Sequence, residues 1–196
     1  MEDQEVKSAT KFQSPLPFII QLRNLIFGKK KPDTFTKVTF IINLIICSTF
    51  FLCSIISYYS ISMKGFIESE KGISVEEIIA NRGMELGFKN GQFLSHLLTF
   101  HAISTICWML VFIGIVLLYR KKIQFIYFIF APILFYVGMS IFYISYTYFI
   151  EDTTTFDKIA LLVIMVGSIV HYFLMRNESR GGSINFFGAI EDEEEA

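Results

Sequence analysis

FLSHLLTFHAISTICWMLVFIGIVLLY from Phe93 to Tyr119, the turn Arg120, Lys121 and Lys122, and IQFIYFIFAPILFYVGMSIFYISYTYFI from Ile123 to Ile150 decide the fold. Neither run contains Asp, Glu, Lys or Arg. Each exceeds the roughly 20 residues that carry a helix across a bilayer core of about 30 Å. A three-residue connection leaves room only for a tight turn, so the two runs cross side by side and antiparallel.

Two further runs, Val38 to Ser62 and Ile159 to Met175, are equally free of charge. Hydrophobic residues make up 53% of the 196 positions, and the excess over an average soluble chain is concentrated in these four blocks. The expected fold is an all-α integral membrane protein with four transmembrane helices at 38–62, 93–119, 123–150 and 159–175, and an external loop at 63–92.

Basic residues orient it. Lys7, Lys11, Arg23, Lys29, Lys30, Lys31 and Lys37 precede the first run, Arg120, Lys121 and Lys122 form the central turn, and Arg176 and Arg180 follow the last run. They outnumber Lys64, Lys71, Arg82, Lys89 and Lys158 on the other side, so the positive-inside rule puts both termini in the cytoplasm. The first run is too long for the apolar region of a cleaved leader and reads as a retained anchor. A bacterial cytoplasmic membrane is the expected location.

The stretch before the first run, 1–37, is polar until Pro17. Phe18, Ile19, Leu22, Leu25 and Ile26 then recur at helical spacing, which predicts an amphipathic helix over about 18–28, ended by Gly28. With Lys29, Lys30 and Lys31 behind it, this helix fits the membrane surface, its basic end against anionic lipid.

The external loop has Ser74 followed by Glu77, with Ile73 and Ile78 spaced as a hydrophobic staple, predicting a short helix over Val75 to Asn81 stopped at Gly83. Its acids Glu68, Glu70, Glu76, Glu77 and Glu85 have no calcium-loop spacing and read as a solvated face. Glu151, Asp152 and Asp157 form a second acidic turn, from which Thr155 is expected to cap the fourth helix.

Polar groups inside the runs are the candidates for function. In the first run Asn43, Cys47 and Ser54 share a side that faces protein. In the second, His101 shares a face with Ser104, Thr105 and Trp108 and is the polar group expected to be buried between helices. Asn43, His101, Ser104 and Thr105 together are the candidate buried polar site. His96 and His101 lie about 140° apart around a helix, and His171 sits at another depth, so no haem-ligating pair is evident. No cofactor or metal is expected to be held by this chain. Cys47, Cys53 and Cys107 all fall inside runs and read as buried, unbridged thiols.

The third run is crowded with aromatic rings. Through them Ala131, Gly138 and Ser145 repeat every seven residues, and Ala160 and Gly167 do so in the fourth run, predicting stripes for close helix packing. Pro132 is expected to kink the third run. The acidic tail, 176–196, ends in Glu191, Asp192, Glu193, Glu194 and Glu195 behind Phe186 and Phe187, a pattern suited to docking on a basic partner.

The motifs of the common enzymes are missing. CxxC, GxSxG, HExxH and the phosphate-binding loop do not occur, no carboxylate lies within a run, and the basic residues are accounted for by topology rather than nucleic acid. The expected function is a non-enzymatic structural or accessory subunit of a membrane complex, contacting other membrane proteins. The alternatives are a small oligomeric channel or transport-like protein with a polar path near His101, and a haem-binding electron-transfer subunit.

Overall fold

The computed structural model describes residues 32–72, 74–89 and 91–178, together with Asn24 and Ile26. The surface helix expected over 18–28 is described only at Asn24 and Ile26, both helical. Lys29, Lys30 and Lys31, Ile73 of the staple, and Phe186, Phe187, Glu191, Asp192 and Glu193 of the tail lie outside the described residues.

Every regular element among the described residues is helical. In chain order they are α1 (Thr34–Ser62), α2 (Lys64–Lys71), α3 (Val75–Glu85), α4 (Gln92–Tyr119), α5 (Phe125–Gly138), a wide π-turn (Met139–Ile144), α6 (Tyr146–Glu151) and α7 (Thr155–Glu178). Four helical stretches are long and apolar enough to cross a membrane: Thr34–Ser62, Gln92–Tyr119, Phe125–Ile144 and Thr155–Asn177. They are compatible with a multi-pass integral membrane protein.

The four pack as a ring in which α1 adjoins α4, α4 adjoins α5, α5 adjoins α7, and α7 returns to α1. The start of α1 and the α4–α5 turn share one end, here the turn face, because Lys121 pairs with Asp33 across it. The other end is the loop face, where Arg82 of α3 reaches Glu151 and Asp152.

The core explains which pairs are closest. Phe50 of α1 stacks on Trp108 of α4 with ring centres 4.5 Å apart and planes 11° apart. One turn earlier, the Cys47 thiol donates to the Trp108 carbonyl at 3.4 Å. Val111, Ile115 and Leu118 continue this face of α4 against Phe125, Ile129 and Ile133 of α5, all buried. The α4–α5 approach is set by Gly114, where a Cβ would fall 2.7 Å from Ile129 Cγ1 and 3.0 Å from the Phe128 carbonyl carbon. A side chain there has nowhere to go.

Local chemistry moves several boundaries. The first helix starts at Thr34, before Val38, because the Asp33 carboxylate accepts from the Thr36 amide at 3.0 Å and its hydroxyl at 2.6 Å. Ser74 caps α3, its hydroxyl accepting from the Glu77 amide at 3.3 Å. Gly83 does not stop that helix, which continues to Glu85. It lies inside α3 against Phe93, where the missing Cβ lets the two helices touch. The fourth long helix is capped by Thr154 rather than Thr155: Thr154 Oγ1 accepts from the Asp157 amide at 3.1 Å, and Asp157 accepts from the Thr154 amide at 3.2 Å.

The third run is not one helix. Pro132 is buried within α5 without ending it, and the break comes at Ser145, whose backbone is extended (φ −171°, ψ 147°). Met139–Ile144 wind a wider turn, so that the Ser145 amide donates to the Ser140 carbonyl at 3.2 Å. The Ser145 hydroxyl then accepts from the Thr147 amide at 3.2 Å and opens α6. Serine is a good cap, which suits this position to the start of α6.

Candidate functional site

Five of the buried polar residues, Thr36, Thr39, Asn43, Ser168 and His171, gather into a seam toward the turn face, whereas Ser54, Ser104 and Ser140 are buried elsewhere. Thr36, Thr39, Asn43 and Cys47 recur at three- and four-residue intervals on α1, so one stripe of that helix is polar, and all four are buried. Cys47 meets α4, while opposite Asn43 and Phe35, α7 supplies Ser168 and His171, likewise buried. The Asn43 amide nitrogen donates to the Ser168 hydroxyl at 3.5 Å, joining residues far apart in the chain. Three residues further on, the His171 ring lies parallel to Phe35 of α1 (5.6 Å, 13°) and edge-on to Phe125 of α5 (5.7 Å, 73°). His171, not His101, is the most deeply buried histidine.

The expected quartet does not form one site. Asn43 belongs to the seam, whereas His101, Ser104 and Thr105 lie toward the loop face of α4. Because Cys47 meets Trp108, His101 is level with the region of Ser54, about 16 Å along the axis from Asn43 at 1.5 Å per residue. His101 is only half-buried, its ring edge-on to Phe100 at 5.4 Å, and its carbonyl accepts from the Thr105 hydroxyl at 2.9 Å. Ser104 is buried. His96 stacks on Tyr143 of the π-turn at 4.6 Å and 28°, beside Phe88 at 5.3 Å. Its Nδ1 is buried without a hydrogen bond among the described residues.

The packing stripes also fall differently. Ala160 is buried, but Ala131 faces outward, a Cβ at Gly138 or Gly167 would meet nothing within 4 Å, and Ser145 has left the helix. Within the chain, Gly114 and Gly83 provide the close approaches instead. Cys47 and Cys107 are buried, Cys53 is exposed, and none is bridged.

At the loop face the decisive residue is Arg82. Its guanidinium bonds Glu85 at 2.7 Å within α3, Glu151 at 2.8 Å and Asp152 at 3.2 Å. These bonds hold its pKa above the ordinary arginine value, with Glu151 the largest contributor. The acids of the α6–α7 turn are therefore partners of α3 rather than only a solvated end. Beneath them, Phe93, Phe100 and Ile144 form a second small core with Ile79, Leu86 and Tyr148 packed against it.

Asp33 is the corresponding residue of the turn face. Desolvation pushes its carboxyl up, yet the Thr36 hydroxyl and amide and the Lys121 ammonium together hold it well below the usual carboxylate range. Among the described residues no group of three or more His, Cys, Asp and Glu side chains is placed to hold a metal ion. Comparison with protein-family models, with curated proteins and with solved structures finds no match in any of the three.

Proposed function

We propose that this chain is a non-enzymatic accessory subunit of a multi-subunit assembly in a bacterial cytoplasmic membrane, with both termini in the cytoplasm. One observation carries the reading: α3, which lies outside the four long apolar helices, is fastened at both flanks and still presents apolar side chains outward. Arg82 ties it to Glu151 and Asp152, Gly83 seats it on Phe93, and yet Ile78 and Met84 are 60% and 52% exposed. A rigid projection with an uncovered apolar surface suits contact with another protein. The excess of lysine and arginine before α1, in the α4–α5 turn and after α7 supports the orientation. Other membrane proteins are the partners, with anionic lipid at Lys29, Lys30 and Lys31, and Phe186, Phe187 and the acids after them serve as a second docking segment. Purification from native membranes in mild detergent is expected to yield a defined second protein at fixed stoichiometry by mass spectrometry. A lone monomer overturns the reading.

The seam of Asn43, Ser168 and His171 favours a second reading, a small transport-like oligomer whose polar path runs between α1 and α7 rather than past His101. Solute flux or current in reconstituted vesicles, abolished by Asn43→Ala, supports it; silent vesicles remove it.

A further inference from the structure

The loop face contains a cleft of about 390 Å³ lined by α2, α3 and the start of α4. That volume lies at the lower end of the range for ligand clefts and admits a few side chains. Ala80, Met84 and Leu94 give it an apolar lining, and Glu68, Glu76 and Glu77 an acidic one. Glu76 is paired with Lys64, whereas Glu68 and Glu77 form no ion pair among the described residues. Arg82, the nearest strong cation on α3, is already shared among Glu85, Glu151 and Asp152 and leaves the cleft acidic.

The α3 wall of the cleft is held in place before anything binds, and the Lys64–Glu76 pair joins α2 to it. Ser74 caps α3 at one end of the cleft, Gly83 holds the helix on Phe93, and Arg82 fixes it to the α6–α7 turn. A preorganised surface loses little ordering entropy on association. Binding of a metal ion is the poorer fit, since no cluster of ligating side chains is present among the described residues.

We infer that this cleft docks a cationic amphipathic segment of a partner protein, with lysine or arginine reaching Glu68 and Glu77 and an apolar neighbour covering Met84 and Leu94. The inference deepens the accessory-subunit reading and rests on it for the existence of a partner. Charge complementarity selects a basic segment, and the apolar lining demands more than charge.

The test uses the full chain in nanodiscs of zwitterionic lipid, titrated with a short fluorescent peptide of alternating lysine and leucine. Saturable binding is expected, weakened roughly tenfold both by the double substitution Glu68→Gln, Glu77→Gln and, separately, by Met84→Glu. All three side chains are exposed, so unchanged melting midpoints are expected to accompany the loss. Equal binding by the double variant, by empty nanodiscs, or of a peptide with serine in place of leucine overturns the inference. The two readings separate cleanly. Peptide binding without a co-purifying protein leaves the cleft and removes the subunit reading, while a co-purifying protein without peptide binding does the reverse.

Discussion

Asp33 and Lys121 lie 3.0 Å apart across the turn face, pinning the residue that caps α1 to the tip of the α4–α5 turn. Lys121 holds this position with a left-handed backbone (φ 53°), the one positive φ outside glycine among the described residues. The pair therefore joins a helix cap, a strained turn and an ion pair at one point.

Replacing Asp33 separates these contributions. Asp33→Ala removes both the cap and the ion pair and is expected to lower stability by about 1 to 2 kcal/mol. Asp33→Asn keeps most of the cap, and its smaller loss, about 0.2 to 1 kcal/mol after solvent screening, reports the ion pair. The carboxyl is held below its ordinary range in the folded state, so its contribution is complete above the unfolded value near pH 4 and fades as pH falls through the folded one. Thermal unfolding of the wild type in detergent should weaken on acidification below about pH 4 more steeply than that of Asp33→Asn. Parallel pH profiles would contradict this account.

Glycine positions give a second set of expectations. Gly114→Ala places a methyl 2.7 Å from Ile129 Cγ1 and close to α5 backbone, where relief requires the helices to part. A loss of about 1 to 3 kcal/mol is expected. Gly138→Ala and Gly167→Ala meet open space and should be neutral or stabilising by up to about 1 kcal/mol. Chemical unfolding of the three variants compares them directly, and an equal loss at all three positions would show that the close approach is elsewhere.

These glycines also mark where the sequence stops being legible. Long uncharged runs identify the four helices long and apolar enough to cross a membrane because length and apolarity are compositional signals, and the Ser74 to Glu77 spacing identifies α3 because a cap is local. The seven-residue repeat of Ala131, Gly138 and Ser145 looks like a packing stripe, but which side of a helix faces its neighbour depends on the rings around it. Trp108 and Phe50 turn α4 toward α1, and that leaves Gly114 against α5. Ser145 is hidden among aromatic residues that read as continuous helix. Arg82 with Glu151, and Asn43 with Ser168, are pairings across long chain separations, for which no local spacing exists.

Arg82 should govern the order of α3. Arg82→Gln removes the bonds to Glu151 and Asp152 while leaving the apolar seat of Gly83 on Phe93. Hydrogen exchange of the Val75–Glu85 amides is expected to accelerate, with the amides of α4 unchanged. Glu151→Gln should give a smaller acceleration, because Asp152 and Glu85 still engage the guanidinium. Unchanged exchange in Arg82→Gln would mean that apolar contacts alone hold the helix.

The Asn43 and Ser168 pair tests whether the seam is a working polar contact or only a place where polar residues are hidden. At 3.5 Å the hydrogen bond is at the limit of useful length, and in the membrane interior such bonds contribute on average about 0.6 kcal/mol. A double-mutant cycle with Asn43→Ala and Ser168→Ala should therefore give a coupling near that value. His171, one turn along α7 and stacked on Phe35, provides the internal control. His171→Phe keeps the aromatic contacts with Phe35 and Phe125, so it should leave the Asn43 and Ser168 coupling intact. If that substitution abolishes the coupling, the three residues act as one network, and the seam then becomes the stronger candidate for a path through the bundle.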